Sequence, residues 1–106
     1  MDARDRLICA LDVPSIAPAL TLVEQTAEHV GWYKIGLELF CAVGPSLIGA
    51  VRDRQANVFL DLKLHDIPNT VASTVRVIAN SGVQMFTVHA SGGARMIEAA
   101  AQELAK

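Results

Sequence analysis

The chain has 106 residues, 52% hydrophobic and 19% charged, a balance that can bury a real core and excludes a disordered or low-complexity protein. Nine basic and eleven acidic residues leave a formal charge of −2, and no basic run exceeds Arg4 with Arg6 or Arg52 with Arg54, so nucleic acid is a poor partner. A small anionic substrate stays open, because one local lysine can hold it whatever the total charge.

The N-terminal stretch MDARDRLICALD is charged and then briefly apolar, too short for a signal peptide or a membrane span. A soluble, cytoplasmic protein is expected. No linker or composition shift interrupts residues 1–106, which are read as one domain. A first strand is expected over Leu7–Leu11, where Cys9 lies. A helix follows, capped by Ser15, with Leu20, Val23, Ala27 and Val30 on one face. The second strand covers Tyr33–Gly36. Pro45 then opens a helix that points Leu47, Ile48 and Val51 inward. Cys9 and Cys41 have apolar neighbours and no close-spaced second thiol, so both are expected as buried free thiols rather than a disulfide or metal pair.

The third strand is expected over Val58–Leu62. Its helix is capped by Asn69 or Thr70, buries Val71, Val75 and Ile78, and ends at Gly82. The fourth strand covers Met85–His89. A last helix starts near Gly93, with Ile97, Ala100, Ala101 and Leu104 apolar. The order βαβαβαβα specifies an α/β fold with a parallel sheet and crossover helices, repeated with a period of about 25–30 residues. Four such units suit either a small flavodoxin-like sheet or half of a (β/α)8 barrel, which takes roughly 250 residues. No glycine-rich fingerprint follows the first strand, so a dinucleotide fold loses its main support. Half a barrel would leave the outer edges of its first and fourth strands to be covered.

Each strand carries a polar residue near its carboxyl end: Asp12, Lys34, Asp61 with Lys63, and His89. That end of a parallel α/β sheet is where ligands bind. Singly these residues have plainer readings. Asp12 can start a turn, Lys34 can snorkel to solvent, and His89 is better read as a satisfied buried histidine than as a catalyst. The Ser91-Gly92-Gly93 stretch can cap a helix or hold an anion, and its spacing does not distinguish them. The group Asp61, Lys63 and Asp66 in FLDLKLHDIPNT carries more. Strand periodicity puts Asp61 and Lys63 on one face, with Leu60 and Leu62 on the other. A structural ion-pair network is the competing reading, but buried ion pairs are weak sources of net stability. An ammonium between carboxylates keeps its proton, which suits it to donate to a carbon acquiring negative charge.

The segment DLKLHDIPNT, together with ALD at Leu11-Asp12, YKIGLELF at Lys34 and FTVHASGG at His89, resembles the orotidine 5'-phosphate decarboxylase family and its D-x-K-x-x-D signature. The resemblance implies a TIM-barrel (β/α)8 enzyme, here as four βα units, that converts orotidine 5'-monophosphate to uridine 5'-monophosphate in pyrimidine biosynthesis. It implies that Lys63 protonates C6 as carbon dioxide leaves, and that Asp61, Asp66 and Lys34 complete an alternating Lys-Asp-Lys-Asp network. It further implies that Asp12 and Lys34 contact the ribose hydroxyls. Asp66, Ile67 and Thr70 would reach the neighbouring site of a homodimer, without metal or organic cofactor. Related magnesium-dependent hexulose-phosphate synthases and keto-gulonate-phosphate decarboxylases have a glutamate metal ligand where this chain has Lys34, which favours the orotidine enzyme. Members of the family are roughly twice as long. Their phosphate grip lies after the last strands and includes an arginine that Arg95 does not match. Little or no activity is therefore expected of the 106-residue polypeptide alone. The alternatives are a noncatalytic half-barrel that pairs with a second copy, or another D-x-K-x-x-D sugar-phosphate lyase.

Overall fold

Alternation along two strands decides the layering. In β2 (Trp32–Gly36), Tyr33 and Ile35 are fully buried, while Trp32, Lys34 and Gly36 are only partly covered. In β3 (Asn57–Leu64), Val58 and Leu60 are buried, and Phe59 between them is not. Successive side chains leave opposite faces of a strand, so one face of the sheet is packed and the other is open.

The computed structural model describes residues 2–106. Four strands, β1 (Ile8–Ala10), β2, β3 and β4 (Met85–Val88), pair in parallel in the order β1-β2-β3-β4. Register is set by Ile8 opposite Trp32, Lys34 opposite Phe59, and Phe59 opposite Met85. Five helices connect and follow them: α1 (Ile16–Thr26), α2 (Leu37–Val43), α3 (Ser46–Arg52), α4 (Pro68–Ala79) and α5 (Ala94–Leu104). Helical residues Ala19, Val23, Leu39, Leu47, Ile48, Val51 and Ile78 pack with Leu11, Tyr33, Ile35, Val58 and Leu60 into the main core. A smaller cluster of Val71, Val75, Met96 and Ala100 joins α4 to α5. On the other face Ile8 and Met85 are exposed, and among the described residues no helix packs there.

A flavodoxin-like sheet reverses strand order at a switch point and carries helices on both faces. The sequential order and one-sided cover seen here are those of consecutive units of a barrel.

Several local expectations change. α2 is a helix that the pattern does not anticipate. It starts after Gly36 and stops at Gly44, whose φ of 89° turns the chain while its N–H donates to Phe40 O at 2.7 Å. The N-cap of α4 is Ile67, not Asn69 or Thr70, because Pro68 occupies the first helical position, where a missing N–H costs nothing. Ser15 does sit at the N-cap of α1, but its side chain makes no capping bond. α1 ends at Thr26, so Val30 reaches the core from beyond the helix. In α5 it is Met96 and Ala100 that are buried, whereas Ile97, Ala101 and Leu104 line an apolar groove along β4. Both cysteines are free, yet only Cys9 is partly buried and Cys41 is exposed. Burial, with the Asp12 charge, raises the Cys9 thiol above its ordinary value. Cys41 lies two residues after the inward-facing Leu39 on α2, and that step turns a helix by about 200°. No helix among the described residues is long and apolar enough to cross a membrane.

Candidate active site

At the carboxyl end of the sheet, neighbouring strands bring three charged side chains together. Lys34, in β2, sits one position before Ile35, so it projects from the open face while its neighbours anchor the strand in the core. Among the described residues, Asp61, in β3, is the one charged residue that is buried. Its Oδ2 lies 3.0 Å from Lys63 Nζ and 3.5 Å from Lys34 Nζ. The Lys63 side chain is 64% exposed and that of Lys34 27% exposed. The proton-bearing group nearer the aspartate is thus also the one a ligand can reach.

Simple strand alternation does not produce this contact. Leu60 pairs with Phe86 and Leu64 with Val88, so four steps along β3 match two along β4. The excess is a bulge, a device that re-aims side chains. Within it Lys63 has φ of 52°, and Leu60 and Asp61 are both buried despite being adjacent. A non-glycine residue held at positive φ stores strain that the surrounding contacts must hold in place. Those contacts come from β4: the Lys63 N–H donates to Thr87 Oγ1 at 3.0 Å, and the Thr87 hydroxyl donates to Asp61 Oδ1 at 2.8 Å. Sequence pattern does not single out Thr87. It lies two residues beyond Met85, which faces Phe59, so register between β3 and β4 was the signal that could have found it.

Burial opposes ionisation of Asp61, but hydrogen bonds from Thr87 and Lys63 and the charges of Lys63 and Lys34 outweigh it. The carboxyl is held below its ordinary value, as an anion. Four groups on three strands therefore present one carboxylate with two ammonium groups at Oδ2 and a hydroxyl at Oδ1.

The other residues of interest lie around this group. Asp12 is exposed just past β1, whose end is tied to β2 by the Leu11 N–H donating to Lys34 O at 2.9 Å. Gly36 faces it, since a Cβ there would sit 3.8 Å from Asp12 Oδ1. Asp66 does not join the Lys34–Asp61–Lys63 group. Its Oδ1 accepts from the Ile67 N–H at 2.7 Å, and Asp66, Ile67 and Thr70 are all exposed where the chain enters α4. His89 is satisfied but not buried: its Nδ1 accepts from the Ser91 N–H at 3.2 Å, and its ring stacks on His65 with centroids 4.9 Å apart. The two glycines that follow have structural reasons. A side chain at Gly92 would collide with Met96, and Gly93, at φ of 93°, starts α5. Among the described residues, no three His, Cys, Asp or Glu side chains are grouped as a metal site.

A family model described as Orotidine 5'-phosphate decarboxylase / HUMPS family matches residues 5–106. The chain belongs to this family. The orotidine 5'-phosphate decarboxylase of Moorella thermoacetica is 48% identical over 101 residues, covering 95% of this chain and 40% of the relative. That of Halorhodospira halophila is 51% identical over 100 residues, covering 94% of this chain and 42% of the relative. The chain spans about two-fifths of the length of these curated relatives. Among solved structures, an uncharacterized conserved protein from Geobacillus kaustophilus superposes with a TM-score of 0.87 at 41% identity, covering 92% of this chain and 46% of that one. The orotidine 5'-phosphate decarboxylase from Lactobacillus acidophilus gives a TM-score of 0.79 at 36% identity, covering 93% and 45%. The four parallel βα units are those of the TIM-barrel fold of the orotidine 5'-phosphate decarboxylase family.

Proposed function

We propose that this chain carries the charge network and proton donor of an orotidine 5'-phosphate decarboxylase. The observation that carries the reading is Asp61 Oδ2 shared by the Lys63 and Lys34 ammonium groups at 3.0 and 3.5 Å, at the ligand-binding end of the sheet. In the reaction, the bond from C6 of the pyrimidine to the carboxylate breaks, carbon dioxide leaves, and the electron pair stays on C6. Lys63 stabilises that charge electrostatically and then donates a proton to C6, giving uridine 5'-monophosphate. Asp61, held anionic, orients both ammonium groups and stands against the substrate carboxylate. Lys34 and Asp12 bind the ribose hydroxyls. Asp66, Ile67 and Thr70 are exposed where the chain enters α4, which suits them to reach the site of a second subunit in a homodimer. A lysine rather than a glutamate at position 34 argues for this reaction over the metal-dependent HUMPS chemistry, and no cofactor is invoked. A cytoplasmic setting goes with a nucleotide substrate.

The test is release of carbon dioxide from orotidine 5'-monophosphate. Little or no turnover is expected of the 106-residue polypeptide alone. Spliced to the remaining C-terminal portion of the Moorella relative, it should decarboxylate, and Lys63→Ala should cost roughly 100- to 10,000-fold in kcat. A spliced protein that folds without activity, or that tolerates Lys63→Ala, would sink the proposal.

The uncovered sheet face, with Ile8 and Met85 exposed and outer edges on β1 and β4, favours a second reading: two copies pair as a noncatalytic half-barrel assembly. Solution mass separates the two, since a clean monomer excludes this one.

A further inference from the structure

Thr87 Oγ1 has two partners, and their chemistry fixes the direction of both bonds. The Lys63 backbone N–H, 3.0 Å away, can only donate, so the hydroxyl accepts there. The Asp61 carboxylate, 2.8 Å away at Oδ1, accepts the single hydroxyl proton. Both hydrogen bonds cross from β4 to the bulged part of β3, where the ladder pairing is interrupted between Leu60 and Leu64. The hydroxyl thus takes the place of a backbone carbonyl as acceptor for Lys63 and ties the Asp61 side chain to the same point. With Oδ1 held by Thr87, Oδ2 is the oxygen left for both lysines, and it is the one they meet.

We propose that Thr87 is a positioning residue for the decarboxylase site: its hydroxyl pins the Asp61 carboxylate and the Lys63 backbone to one point on β4, so that Oδ2 and Nζ meet. Its relevance to turnover rests on the function proposed above; the clamp itself does not. Without the hydroxyl, Asp61 Oδ1 loses its partner, the carboxylate is held through Oδ2 alone, and the Lys63 N–H faces a gap in the ladder. A methyl in the same place would keep the packing and lose both bonds. The downward shift of the Asp61 carboxyl from its ordinary value, to which the Thr87 hydrogen bond contributes, agrees with this geometry.

The experiment uses the 106-residue chain and two variants, followed by NMR. In Thr87→Val, which keeps the β-branched shape, the Asp61 side-chain carboxyl resonance should titrate at higher pH than in the wild type. The Lys63 amide should exchange with solvent roughly three- to tenfold faster. Thr87→Ser, which restores the hydroxyl, should return both readings to wild-type values. Amides of Tyr33 and Leu60 in the packed core serve as internal reference and should not change. The proposal is overturned if Thr87→Val leaves the Asp61 titration and Lys63 exchange unaltered. It is overturned equally if Thr87→Ser behaves as a non-hydroxyl residue, an arm that holds even where the valine variant fails to fold. Neither readout involves turnover, so absence of decarboxylation in the spliced protein counts against the proposed reaction and leaves this test intact.

Discussion

The two faces of β2 and β3 are built from alternate residues of the same short segments, yet they do different things. Tyr33, Ile35, Val58 and Leu60 point to the helices and are almost wholly excluded from water. Lys34, Asp61 and Lys63, interleaved with them, meet on the carboxyl end of the face that no helix among the described residues covers. The covered face obeys close packing and has few polar demands; the main exception, the Tyr33 hydroxyl, lies 2.7 Å from Thr26 Oγ1 and donates to Val23 O. The open face holds a buried carboxylate, two ammonium groups and a strained lysine, features that stability alone does not favour. Rigid packing on one side is what permits a costly arrangement on the other.

Substitutions can break this contrast. Leu60→Ala removes a fully packed core side chain next to Asp61 and should lower unfolding free energy by about 2–5 kcal/mol, read by urea denaturation. A smaller loss would mean that the helices close around the gap. A subtler comparison probes the open face. Lys63→Gly and Lys63→Ala both delete the ammonium, but only glycine relieves the positive φ. The glycine variant should be the more stable of the two by about 1 kcal/mol. Equal stabilities would show that the bulge relaxes without cost.

The smallest effect concerns acid. Asp61 titrates in the folded chain below its ordinary value, so the unfolded chain binds its proton first as pH falls. Its contribution is complete above the unfolded-state value of about 3.9 and is gone once pH has dropped through the lowered native value. Glu103, held low by hydrogen bonds from Arg76 and Lys106, adds a loss in the same direction. The measurement is therefore the difference between the wild type and Asp61→Asn across that window. Stability of the wild type should fall more steeply with acid, and parallel curves would contradict the ionisation assigned to Asp61.

Much of the site was legible in the chain, because D-x-K-x-x-D and the polar residues at the strand ends are local patterns. What was not legible needed two segments at once. The bulge exists only as a mismatch between β3 and β4, so period-two reasoning reached the Asp61–Lys63 contact by a route the backbone does not take. Thr87 was invisible for the same reason. α2 escaped because seven residues make two turns, too few for intrinsic helix stability, and its formation depends on docking Leu39. Missing it also misplaced Cys41, whose apolar neighbours in sequence are not its neighbours in space. In α5 two apolar stripes compete, and the partner helix α4 chose Met96 and Ala100 over Ile97, Ala101 and Leu104.

By itself, then, the sequence determined the βα order, the split of β3 into a Leu60 face and an Asp61–Lys63 face, and the charged residues at the strand ends, since each follows from spacing along a single segment. Only the tertiary structure decided that helices cover one face, that Asp66 stays apart from Asp61 and Lys63, and that a threonine from the next strand holds them. Those outcomes depend on register and packing between segments, which no single segment encodes.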